Sequence, residues 1–170
     1  QTAERVRDIC TNLYDSSSAG LCGNEDCGQM SAWYVWSALG MYPVEPGSGE
    51  LVLGSPLFER AVVRPAQGAP THLAAPKATT RPYIDHAEWT RLDGHNPEET
   101  FRSFVTTQQL RAGGTLHLTM SGTPGDQFGV KPEDRPTSRW ASPDFVAVPG
   151  IEAPRTFQSE GATFQLHHIQ

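Results

Sequence analysis

Apolar residues recur along the start of the chain at helical spacing. Val6, Ile9, Cys10 and Leu13 fall at i, i+3, i+4 and i+7, one face of an amphipathic helix. Glu4 lies in its first turn, where a negative charge complements the helix dipole. The run Ser16-Ser17-Ser18-Ala19-Gly20 then ends it. A second helix is predicted from about Gly28 to Leu39. Its Met30, Ala32, Trp33, Tyr34, Val35, Trp36, Ala38 and Leu39 are apolar on nearly every side, so it has to be buried all round. Gly40 is placed for a left-handed cap, and Pro43 prevents the helix from resuming. Residues 1–45 cannot enclose that helix by themselves, so the two helices predict the tail of a larger helical assembly.

Beyond residue 45 the pattern changes to short β-like runs cut by Gly and Pro. Candidate strands are Leu51-Val52-Leu53, Arg60 to Arg64, Thr71-His72-Leu73, Tyr83 to Trp89 and Thr115 to Met120. The last alternates cleanly, with Leu116, Leu118 and Met120 on one face and Thr115, His117 and Thr119 on the other. Strands at this spacing predict a β-sandwich-like region over residues 46–125, with a short helix between Pro97 and Val105. Residues 126–170 read as an extended tail, with strands near Phe145-Val146-Ala147-Val148 and Thr163-Phe164-Gln165-Leu166. The fold class expected is α+β.

Composition narrows the partners. The chain has 170 residues, 19% of them charged, and a formal net charge of −6. No basic stripe invites nucleic acid or an anionic membrane. No apolar run approaches the ~20 residues of a membrane span, and the first residues read as a helix start, without the pattern of a signal peptide. Three cysteines (Cys10, Cys22, Cys27) are too few for a disulfide scaffold, although Cys22 and Cys27 could pair if the loop between them folds back. Zinc would want a fourth ligand at recognisable spacing, and the six histidines are scattered.

The chemistry concentrates in one loop. Gly23-Asn24-Glu25-Asp26-Cys27-Gly28-Gln29 sets three polar side chains between glycines at the mouth of the apolar helix. In extended backbone Asn24 and Asp26 would point to the same side, where a carboxylate and an amide oxygen could activate a water or help ligate a hard cation such as calcium. Structural roles compete for each residue. Asp26-Cys27-Gly28-Gln29 fits a capping box, with Asp26 as N-cap and Gln29 at N3, and on spacing alone this reading is favoured. Glu25 is by default a solvated loop charge, and Asn24 a turn residue beside Gly23. Trp33 and Trp36 suit a core better than a sugar-stacking platform. His86, His95 and the His167-His168 pair suit the surface.

The run from Gly20 to Phe58, including Gly23-Asn24-Glu25-Asp26-Cys27-Gly28-Gln29-Met30-Ser31-Ala32-Trp33-Tyr34, Pro46-Gly47-Ser48 and Leu53-Gly54-Ser55-Pro56-Leu57-Phe58, closely resembles glycoside hydrolase family 92, bacterial and fungal exo-acting α-mannosidases. The likeness fades after about Val63, returns at Gly113-Gly114-Thr115-Leu116, and is absent beyond residue 125. It implies an inverting, calcium-assisted hydrolase of terminal α-mannose, with an N-terminal β-sandwich and an (α/α)6 barrel whose last helices lie in residues 1–45. Asp26 would be the general base, Asn24 an assisting group where some members carry a second Asp, and Glu25 a substrate contact. Asp26 would also be a calcium ligand, directly or through water. The general acid of the family, a glutamate well upstream of this loop, has no counterpart here. The expected partners are therefore an α-mannoside glycan and the remainder of the same enzyme, without which the chain is inactive. A secreted or periplasmic setting is implied.

Two other functions fit parts of the chain. Residues 50–120 alone would suit a non-catalytic carbohydrate-binding β-module with a helical linker, and a structural piece without a ligand is the third reading.

Overall fold

A computed structural model describes residues 2–94, 97–138, 155–159 and 162–166. The chain divides into two compact units, Gln1–Thr137 and Ser138–Gln170.

The first unit begins with α1 (Thr2–Asn12) and α2 (Gln29–Ala38). Of the four apolar residues on the predicted face of α1, Cys10 is buried, Val6 and Ile9 are half-buried, and Leu13 stays 48% exposed. Only the last turn of α2, at Ser37 and Ala38, is buried. Trp33, Tyr34 and Trp36 are half-covered, and Val35 is 55% exposed. The helix expected to be enclosed thus keeps much of its apolar surface open among the described residues. Gly40 closes it as expected, at φ 77 with its N–H on the Ser37 carbonyl at 2.9 Å.

Two sheets follow. The smaller joins β1 (Met41–Tyr42), β2 (Glu50–Leu53) and β7 (Phe104–Thr106) in antiparallel order β1-β2-β7. The larger has the order β3-β4-β8-β5-β6, from β3 (Arg60–Val63), β4 (Thr71–Ala74), β5 (Tyr83–Arg91), β6 (Glu98–Thr100) and β8 (Gly114–Ser121). All its pairs are antiparallel except β4 with β8. Met41, Leu51, Leu53 and Val105 of the small sheet merge with Leu73, Ile84, Trp89, Leu116, Leu118 and Met120 of the large one in a single hydrophobic core. The alternation of β8 is realised, with Gly114, Leu116, Leu118 and Met120 inward. In β5 a register shift between Ile84 and His86 moves the inward set from Ile84 to Ala87 and Trp89.

The helix expected between Pro97 and Val105 is not there. That stretch contributes β6 and β7, because β5 and β2 offer it open edges. The helix, α3, spans Thr107–Ala112 and starts at a capping box: the Thr106 hydroxyl accepts the Gln109 N–H at 3.1 Å, and the Gln109 side chain accepts the Thr106 N–H at 2.8 Å. Thr71, fully buried, donates its hydroxyl to the Leu110 carbonyl at 2.8 Å and ties α3 to β4. In the second unit β9 (Arg155–Ser159) and β10 (Ala162–Leu166) form an antiparallel pair. The strand expected at 163–166 falls in β10, whereas the one at 145–148 lies outside the described residues.

Helices and sheets meet at residues 54–57. Arg7 donates to the Ser55 hydroxyl from Nε at 3.1 Å and Nη2 at 2.9 Å, and from Nη2 to the carbonyls of Pro56 at 2.8 Å and Ala78 at 2.6 Å. The Leu57 N–H bonds the Ala38 carbonyl at 2.9 Å, and the Gly54 N–H bonds the Gly40 carbonyl at 2.8 Å. Gly40 approaches Pro56 so closely that a Cβ there would lie 2.8 Å from the Pro56 ring. Gly40→Ala therefore combines left-handed strain with overpacking and should destabilise the protein by about 2–4 kcal/mol. Loss of the α3 cap in Thr106→Ala should cost only about 1 kcal/mol. Urea unfolding of both variants checks the order.

Candidate functional site

The loop between α1 and α2 is pinned before it reaches the polar triplet. The Asp15 N–H bonds the Gly20 carbonyl at 3.0 Å, and the Asp15 carboxylate accepts the Ser17 N–H at 2.7 Å. Tyr14 stacks on Trp33 with centroids 5.8 Å apart, meets Tyr34 at 4.9 Å, and donates its hydroxyl to the Met30 carbonyl at 3.4 Å. Trp33 is thereby engaged by an aromatic neighbour of the same chain, and Trp36 packs against the core.

The triplet departs from the expected geometry. Asp26 and Cys27 have φ of 54 and 57, followed by Gly28 at 94, so a left-handed turn replaces the extended backbone on which Asn24 and Asp26 would share a side. Two consecutive non-glycine residues in this region carry strain of about 1–2 kcal/mol each, less for Asp. Asp26 is also not the helix cap. The N-cap position falls on Gly28 with no side-chain cap bond, because the left-handed turn carries Asp26 out of the backbone conformation a cap requires.

Glu25 serves the helix start instead. Its Oε2 accepts the Gly28 N–H, and its Oε1 accepts the Ser31 N–H at 3.2 Å and the Ser31 hydroxyl at 2.7 Å. The Ser31 hydroxyl, then the Gly28 and Ser31 amides, hold the Glu25 carboxyl below its ordinary pKa. The main chain adds Met30 N–H to the Glu25 carbonyl at 3.2 Å and Gln29 N–H to the Asp26 carbonyl at 3.3 Å. Asn24 and Asp26 are exposed, and no hydrogen bond or ion pair engages the Asp26 carboxylate among the described residues. Ser31, the partner that organises the loop, carries no sequence signal of that role. A serine six positions after a glutamate matches no local motif.

Cys10 is buried, and Cys22 and Cys27 are exposed; all three are free thiols. Among the described residues no group of three or more His, Cys, Asp and Glu side chains could hold a metal ion. Calcium takes six to eight oxygen ligands. Both Glu25 oxygens accept hydrogen bonds within the loop, and Asp26 is the carboxylate of the triplet that carries none. These residues do not form a calcium site by themselves. His86 lies half-exposed beside the Asp85 carboxylate at 3.1 Å, while His95, His167 and His168 are outside the described residues.

Residues 1–122 match the sequence profile of the glycosyl hydrolase family 92 catalytic domain. A protein of Arthroderma benhamiae described as an uncharacterized secreted glycosidase is 24% identical over 138 residues, 81% of this chain and 17% of that protein. Among solved structures, a family GH92 inverting mannosidase of Bacteroides thetaiotaomicron has TM-score 0.70 and 41% identity, over 81% of this chain and 18% of that one. A GH92 α-mannosidase of the same species, in complex with mannoimidazole, has TM-score 0.71 and 32% identity over 81% and 17%. The chain thus spans less than a fifth of the length of these relatives.

The two carboxylates should respond oppositely to change. Because the pKa of Glu25 is depressed in the folded loop, its contribution is present above the ordinary value of 4.5 and is lost as pH falls through the lower folded value. Hydrogen-exchange protection of the Gly28 and Ser31 amides should fall in that window, and in Glu25→Ala it should already be low above it. Asp26→Gly, which relieves left-handed strain without removing a cap, should raise stability by up to about 1 kcal/mol; a drop in melting temperature would show that Asp26 caps after all.

Proposed function

Because the chain belongs to glycosyl hydrolase family 92, we propose that it is the C-terminal portion of an inverting exo-α-mannosidase that hydrolyses terminal α-mannosyl linkages, with Asp26 as general base. One observation carries the assignment of the base: of the two adjacent carboxylates, that of Glu25 is bonded into the helix start, while that of Asp26 stands exposed and unpartnered among the described residues. A carboxylate with free lone pairs can accept a proton from water. One that already accepts three N–H and O–H bonds is a poorer acceptor.

Inversion requires that water to sit between base and general acid, roughly 6.5–9.5 Å apart. Asp26 would orient the water and take its proton. Asn24, exposed two residues away, is the proposed assisting group through its amide oxygen. The acid would come from the remainder of the enzyme, as would the other helices of an (α/α)6 barrel that ends in α1 and α2 and covers the open apolar side of α2. The 55% exposure of Val35 supports such a neighbour. Calcium remains the proposed cofactor, with Asp26 as a ligand directly or through water and further ligands supplied from outside the loop. Mannose as the sugar is supported by the inverting mannosidase and the mannoimidazole complex among the similar structures, and a secreted setting by the relative described as secreted. A separate carbohydrate-binding module is less well supported, since one catalytic-domain match runs through helices, loop and both sheets.

In the complete protein, Asp26→Asn should lower kcat on an aryl α-mannoside by about 10²–10⁴-fold, the range for losing a general base. Residues 1–170 assayed alone should show no turnover. Near-full activity of the Asn variant would remove Asp26 from the mechanism, and turnover by the 170-residue chain would overturn its dependence on the rest of the enzyme.

A further inference from the structure

A helix that begins at an Asp, with Gln three residues later, would ordinarily use that Asp to accept its first free N–H groups. An Asp so used would have its oxygens occupied and would be a weak base. Here the task has moved one residue upstream. Glu25 is one methylene longer than Asp, and its side chain reaches past the left-handed residues 26–28 to the Gly28 N–H, the Ser31 N–H at 3.2 Å and the Ser31 hydroxyl at 2.7 Å. The turn needs such support, since Asp26 and Cys27 both adopt positive φ without being glycine. The main-chain bonds across it, at 3.2 and 3.3 Å, are long.

We infer that Glu25 is a positioning residue, which with Ser31 holds the 26–28 turn in its left-handed form and so keeps the Asp26 carboxylate out of the helix start and free to meet water. The inference rests on the reading of Asp26 as base, and it gives Glu25 a role other than substrate contact. Removal of the Glu25–Ser31 lock allows Asp26 to relax toward the N-cap position that its spacing to Gln29 favours, where the Gln29 amide competes with water for its oxygens. The effect should fall on turnover, because the chemical step needs the free carboxylate and substrate binding does not.

The test uses the complete protein with an aryl α-mannoside as probe, comparing Glu25→Ala, Glu25→Gln, Ser31→Ala and the double variant Glu25→Ala/Ser31→Ala, with Asp26→Asn alongside. A misplaced catalytic group costs up to about 10²-fold. Glu25→Ala should therefore lower kcat by about 10–100-fold with KM within about threefold. Glu25→Gln keeps one acceptor oxygen of two and should fall between Glu25→Ala and the parent. Ser31→Ala should lower kcat by a few fold, and the double variant should be no worse than Glu25→Ala, because Ser31 acts through Glu25. A rise in KM with kcat intact, additive losses in the double variant, or full activity of Glu25→Ala overturns the inference while leaving Asp26 as base. Full activity of Asp26→Asn overturns the base assignment itself, and this inference with it. If Glu25→Ala fails to fold, the near-isosteric Glu25→Gln and Ser31→Ala still decide by the same split between kcat and KM.

Discussion

The guanidinium of Arg7 is the point on which the first unit depends. It is the group on α1 that reaches Ser55, Pro56 and Ala78 at once, with four bonds of 3.1 Å or less. Ser55 is 1% exposed and its hydroxyl takes two of them. Nη2 and Nε of one guanidinium together meet that hydroxyl and the two carbonyls, so a single side chain joins three separate segments. The same four-residue stretch, 54–57, receives the end of α2 through Ala38 and Gly40. Two helices and the stretch leading into the larger sheet are thus fixed to one another by polar bonds. Core packing holds the sheets together; this crossing decides where the helices lie against them.

The loop that carries Asp26 inherits its position from that crossing. At one end it leaves α1, and at the other it enters α2, whose far end is locked by the contact of Gly40 with Pro56. Between these anchors the Asp15–Gly20 turn and the Tyr14 ring against Trp33 and Tyr34 remove most of the remaining freedom. The left-handed residues at 26 and 27 are then the only strained step, held by the Glu25 carboxylate. Of the two adjacent acids, Glu25 is bonded into the helix start and Asp26 is left exposed.

Much of this was legible in the residues. The alternation of Leu116, Leu118 and Met120 placed β8, and Gly40 before Pro43 placed the end of α2, because both signals are local and were realised locally. The likeness of residues 20–58 to the family agrees with the matched profile over 1–122. Three features were not legible. Pro97-Glu98-Glu99-Thr100 resembles a helix start, yet pairing with Ala87, Glu88 and Trp89 makes it a strand, and that partner lies about ten residues upstream. The bulge after Ile84 breaks the two-residue period of β5 without a glycine to announce it. The positive φ at Asp26 and Cys27 likewise has no glycine at either position, so spacing pointed to Asp26 as the cap when Glu25 was the residue bonded there. At β6 the pairing with β5 overrides propensity, and at the loop the bonds of the Glu25 carboxylate do.

That override has a consequence for the helix the loop feeds. α2 has apolar residues on nearly every side, and in the first unit only its final turn is fully buried. A helix so exposed gains little from burial at its N-terminal end, where hydrophobic packing would otherwise fix the first turn. The polar bonds of Glu25, Ser31 and Tyr14 supply there what packing supplies at Ser37 and Ala38. The geometry of the Asp26 carboxylate is consequently set by hydrogen bonds within residues 14–31, and apolar surface brought against Val35 would add stability to the helix without having to create the turn that precedes it.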